Sequence, residues 1–131
     1  MGAGPEALLE AGLEGRLTDN GYEVEIVFIE LPRDFFPAEI QSAFELNARV
    51  AVAVSGAIAK GAFPLVLSGN CNTAIGTVTG LNDARTGIIW FDAHGDLNTP
   101  DTSPSGFFDG TALATLIGRC WNACQIGRAH V

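Results

Sequence analysis

The chain has 131 residues, 47% of them apolar and only 17% charged, which excludes a disordered polypeptide and suits one domain with a modest core. A net charge of −8 argues against nucleic acid or an anionic membrane as partner and suits a cationic substrate or a metal ion. No apolar run reaches the roughly 18 residues of a membrane span. Met1 to Pro5 lacks the basic and apolar regions of a signal peptide, and three cysteines without framework spacing fit a reducing cytoplasm.

In chain order, Pro5 to about Asp19 reads as a helix. Pro5 suits its first position, Glu6 complements the positive end, Leu8, Leu9, Leu13 and Leu17 form a stripe, and Asn20-Gly21 ends it. Tyr22 to Ile29 reads as a strand, Leu31 to Asp34 as a loop, and Pro37 to about Gly61 as a long helix with a face of alanine and valine. Pro64 to Gly69 is a short buried strand. It opens into the loop Asn70-Cys71-Asn72 and a helix start that Asn72 or Thr73 could cap. Gly87 to Phe91 is a further apolar strand, followed by a loop from Leu97 to Phe108 and a helix from about Asp109 to Gly118. Fully apolar strands alternating with helices predict an α/β fold with a parallel sheet covered on both faces, its active crevice at the strands' carboxyl ends.

Both polar motifs lie at such ends. Asp92, His94 and Asp96 directly follow the Ile88–Phe91 strand. At alternating positions of an extended backbone their side chains share one side, about 6.6 Å apart per step, and a bend at Gly95 would bring them closer. Two carboxylates and an imidazole so placed make a metal cradle suited to Mn²⁺ or Mg²⁺, with Fe²⁺ or Zn²⁺ as alternatives. A carboxylate can bridge two ions, and a two-ion site activates water. Cys71, at a helix start, reads equally as an activated nucleophile or a buried small residue. Gly56 to Gly61 is not a phosphate loop, Gly69 to Gly76 lacks dinucleotide spacing, and Ser103 and Ser105 lack a nucleophile-elbow setting. Cys120 and Cys124 stand one helical turn apart, but no second pair accompanies them.

The run Trp90-Phe91-Asp92-Ala93-His94-Gly95-Asp96-Leu97-Asn98-Thr99-Pro100, followed by Thr102-Ser103-Pro104-Ser105-Gly106, closely resembles the ureohydrolase family of arginases and agmatinases. Gly4 to Leu8 and Ser68 to Gly76 fall where that family has its early Gly-Pro helix and its first ligand loop. The resemblance implies a three-layer α/β/α sandwich and a binuclear Mn²⁺ centre. It also implies hydrolysis of a guanidino carbon–nitrogen bond by a metal-bridging hydroxide, a small cationic guanidino substrate, and a homo-oligomer when complete. By that similarity Asp92 bridges the metals, His94 binds one and Asp96 the other, while Asn98 and Ser105 hold the amino-acid end of the substrate.

Four departures stand beside it. Cys71 replaces a ligand histidine, and thiolate prefers softer ions than Mn²⁺. Phe107 replaces a substrate-contacting asparagine. Asp109 stands where arginases carry a proton-shuttling histidine, and reads either as an acid/base or as the N-cap of the next helix. A second Asp-x-Asp pair is absent, which fits truncation better than divergence. Residues 125–131 match the translation of a common sequencing adapter, so residues 1–124 are expected to be the N-terminal part of an arginase-like domain and the tail non-native. The competing expectation is a catalytically inactive relative kept for binding or scaffolding, supported by Cys71 and Asp109.

Overall fold

The structure, a computed structural model, describes residues 3–30 and 39–122. The N-terminal helix expected as one piece is two, α1 (Gly4–Glu10) and α2 (Leu13–Asp19). Gly12 lies between them at φ 85°, a left-handed conformation that breaks the helical path and that only glycine adopts without strain. Pro5 sits in the first turn as its missing N–H requires. The expected stop at Asn20-Gly21 is present: Gly21 is left-handed, and the amides of Gly21 and Tyr22 donate to the carbonyls of Thr18 and Leu17. Neither helix contains a buried residue, and Leu8 of the expected stripe is 50% exposed.

Helix α3 (Glu39–Ala59) buries Ala43, Asn47, Val50, Ala51 and Val54, one face at helical spacing. Against it lies α4 (Thr73–Leu81), whose Ile75, Gly76 and Gly80 are buried. The two backbones approach very closely. A Cβ on Gly80 would stand 2.6 Å from the Ala51 carbonyl oxygen and 2.7 Å from the Val54 Cβ, so glycine is obligatory there. Helix α3 closes on Gly61, at φ 73°.

The last expected helix begins as a 3₁₀ turn (Phe108–Thr111) and continues as α5 (Ala112–Leu116). Phe108, Ile75, Ala43 and Leu116 form the core, with Phe44, Trp90 and Trp121 packed against it. Phe108 and Phe44 meet edge-on at 5.4 Å between ring centroids.

The predicted strands are not formed as strands among the described residues. Segments 22–30, 62–68 and 87–92 carry no ladder of backbone hydrogen bonds. The physical reason is on their surface. A parallel sheet needs both faces covered, yet Phe28 is 72% exposed, Ile89 82% and Phe91 95%, so among the described residues nothing packs over the faces these side chains present. Ladders of the expected parallel sheet are therefore absent among the described residues. Residues 125–131 and Cys124 lie outside the described residues.

Candidate metal centre

The loop that carries Cys71 is held from two directions. From beneath, the buried Asn47 of α3 donates to the Ala43 carbonyl and to Asn72 Oδ1, and accepts the Gly76 amide at 2.7 Å. From the side, the 7%-exposed Asp109 takes Asn70 Nδ2 at 2.8 Å on one carboxylate oxygen. On its other oxygen it accepts both the backbone amide and the side-chain amide of Asn72. Cys71 thus sits between two asparagines that share one carboxylate. Asn72 occupies the N-cap position of α4 but makes no side-chain cap bond: its Oδ1 accepts from Asn47 Nδ2 while its amide donates to Asp109. Asp109 is not an N-cap either. Phe107 holds that position, and Asp109 lies inside the 3₁₀ turn.

The second loop is anchored to the same C-terminal elements. The Asp96 carbonyl accepts the Ala114 amide, and the Asn98 amide donates to the Gly110 carbonyl. The chain bends at Ala93 and His94 rather than at Gly95, and Asp96 takes φ 47°. The extended arrangement with all three side chains on one side is therefore not what forms. Instead the bend brings ligand atoms of Cys71, Asp92 and Asp96 within 4.8 Å of one another. The Cys71 thiol donates to Asp92 Oδ2 at 3.5 Å. His94 stands outside that trio with its side chain 83% exposed, its Nδ1 3.4 Å from Asp92 Oδ1 and its backbone N–H donating to the same oxygen. Asp92 therefore faces Cys71 with one oxygen and His94 with the other.

Electrostatics separate these groups. Burial, then the charge of Asp96 and the carboxylate of Asp92, push the Cys71 thiol up to about 11. Burial raises the Asp96 carboxyl above its usual range, whereas the His94 backbone N–H holds Asp92 below it. Asp96 Oδ2 is buried and has no hydrogen-bond partner among the described residues. A buried carboxylate oxygen without a donor carries a desolvation cost that a cation removes. Two hard oxygens, a sulfur and an adjacent imidazole fit a divalent metal, and the carboxylate that carries the orphaned oxygen belongs to that group.

Residues 1–130 match the family model described as the Arginase family. The chain belongs to the arginase family. It is 40% identical over 124 residues to the arginase of Brevibacillus brevis and 39% identical over 126 residues to that of Bacillus caldovelox, covering 88% of this chain and 42% of each relative. It superposes on a 1.7 Å crystal structure of Bacillus subtilis arginase with a TM-score of 0.89 at 38% identity, over 97% of this chain and 46% of the other. The α/β arginase fold expected from the sequence is thus the fold of its structural relatives. The chain spans less than half the length of the relatives it matches.

Within this arginase-family frame, Asn98 and Ser105 lie on the exposed loop beyond Asp96, where Ser105 Oγ accepts the Phe107 amide at 3.3 Å. Phe107 is 46% exposed beside them. Sequence reasoning missed Asn47, Asn70 and Asn72 as supports of the centre. The one available signal was Asn47 itself, a polar residue in the middle of the alanine and valine face of α3. Among the described residues no helix is long and apolar enough to cross a membrane.

Proposed function

We propose that this chain carries one side of the active centre of a metal-dependent amidinohydrolase that cleaves a guanidino carbon–nitrogen bond in a small cationic substrate. The observation that carries this reading is the buried, unpartnered Oδ2 of Asp96 beside Cys71 and Asp92. Asp92, Asp96 and Cys71 would hold one divalent ion, and His94 with the second oxygen of Asp92 would hold another. Ions bound there would supply the positive charge that makes water nucleophilic at neutral pH. Asp92, facing both corners, sets the spacing between them. Asn98 and Ser105 would orient the far end of the substrate, and the acidic field of the chain draws the cation in. Asp109 positions the Cys71 loop. A proton-transfer role for it would require release from Asn70 and Asn72. The α/β/α sandwich, a cytoplasmic setting and a homo-oligomer complete this reading.

Calorimetry tests the centre directly. Mn²⁺ should bind the 131-residue chain weakly, and His94→Ala should weaken it further. Equal affinity before and after that change would remove His94 from the site. Turnover is tested by replacing the matched portion of Bacillus subtilis arginase with this chain. The chimera should release urea or a related amide from a guanidino compound only with metal present, and Asp92→Asn should abolish it. The isolated chain should show no turnover. Losing the charge supplied by the rest of the site should cost at least about a thousandfold.

A further inference from the structure

The donor trio is not the one a hard ion selects. Cys71 Sγ points at two carboxylates rather than into the core, 3.5 Å from Asp92 Oδ2. Sulfur and oxygen ligands on one tetrahedral zinc, at about 2.3 Å and 2.1 Å from the ion, stand about 3.6 Å apart. The Cys71–Asp92 edge already has that length. The third corner is Asp96, whose buried Oδ2 has no hydrogen-bond partner among the described residues. The backbone on both sides of Cys71 is fixed, since Asn70 and Asn72 are each bonded to Asp109. The sulfur is therefore presented to the carboxylates by a rigid loop. Thiolate favours borderline ions over hard ones, and among the first-row divalent metals affinity rises from Mn²⁺ through Co²⁺.

We propose that Cys71, Asp92 and Asp96 form a thiolate–dicarboxylate site that selects Zn²⁺, Co²⁺ or Fe²⁺ over Mn²⁺ and Mg²⁺. This rests on the metal-centre reading above and sets its ion preference.

The test uses the whole 131-residue chain and Co²⁺ as the probe. Bound Co²⁺ should give a near-ultraviolet thiolate-to-cobalt charge-transfer band. A variant carrying Cys120→Ala and Cys124→Ala should keep the band, and Cys71→Ser should lose it. Zn²⁺ should displace Co²⁺ near stoichiometric amounts, whereas Mn²⁺ should need at least about a hundredfold excess. Cys71→His should narrow that gap. Co²⁺ binding that is abolished by Asp92→Asn yet shows no such band would overturn the thiolate site and leave the hydrolase reading standing. A band that survives Cys71→Ser would overturn it as well. Failure of both Co²⁺ and Mn²⁺ to bind would sink both readings. If Cys71→Ser does not fold, the variant with Cys71 as sole cysteine decides by the presence or absence of its band.

Discussion

Cys71 without metal is a reluctant thiol. Its folded value of about 11 lies above its ordinary 9.0, chiefly because it is buried and then because Asp96 and Asp92 oppose a third negative charge. The native state therefore holds this proton more tightly than the unfolded chain. Its effect on stability is flat below about 9, and stability falls as the pH climbs from there toward 11. Thiolate is the reactive species, so alkylation of Cys71 near pH 8 should run at least about tenfold slower than that of an unstructured thiol. Mass spectrometry of the alkylated peptides measures this, and equal rates would contradict the burial and charge assigned to it. Asp109 acts on the same residue from a distance. Asp109→Ala would leave the amides of Asn70 and Asn72 without their acceptor, at a cost of about 1–3 kcal/mol in urea denaturation. It should also weaken Co²⁺ binding, although Asp109 is no ligand. Unchanged affinity would make the tie merely structural.

The pairing of α3 with α4 explains why the ligand loop stands where it does. Gly80→Ala would drive a methyl group into the Ala51 carbonyl and Val54, and should lower stability by about 1–3 kcal/mol. Gly56→Ala, with open space around it, should be neutral or slightly stabilising. Thermal unfolding of the two variants tests the contrast, and equal midpoints would mean the helices do not approach this closely. At this scale much was legible. Helical spacing located α3, glycine located its end, and the apolar run at Ile88–Phe91 located the segment that delivers Asp92. What was not legible was partly local and partly set by distant parts of the chain. The split at Gly12 needs no sequence signal beyond one glycine. The bend at Ala93 and His94 depends on the Asp92 side chain capturing the His94 amide, a local bond that overrides an extended run. The grouping of Cys71 with Asp92 and Asp96 depends on two loops being tied to the 3₁₀ turn and α5, which no single stretch encodes. Segments 22–30, 62–68 and 87–92 form no ladder among the described residues, and propensity alone does not supply the covering layers that a parallel sheet needs.

At the scale of the whole molecule the unpaired segments dominate. Phe63 is 88% exposed, and Ile89 and Phe91 are 82% and 95% exposed, on backbones whose N–H and C=O groups lack ladder partners among the described residues. Such edges are templates for association. Light scattering should show the 131-residue chain as oligomers or aggregates. Ile89→Lys with Phe91→Lys should shift the distribution toward monomer, and a monodisperse unmodified monomer would contradict this. The bond from the Gly76 amide into buried Asn47 has a further consequence, one of time rather than place. That amide is sealed between two helices, while those of residues 88–91 make no backbone ladder bond among the described residues. Deuterium should enter the latter almost at once and the former only when α3 and α4 part. The metal donors are divided between these two regimes, Cys71 beside the slow region and Asp92 at the end of the fast one. An ion gripping both would act as a clasp, lending the persistence of the helix pair to a segment that has little of its own. Slower deuterium uptake at residues 88–92 on addition of Zn²⁺, with Gly76 unchanged, would be its mark.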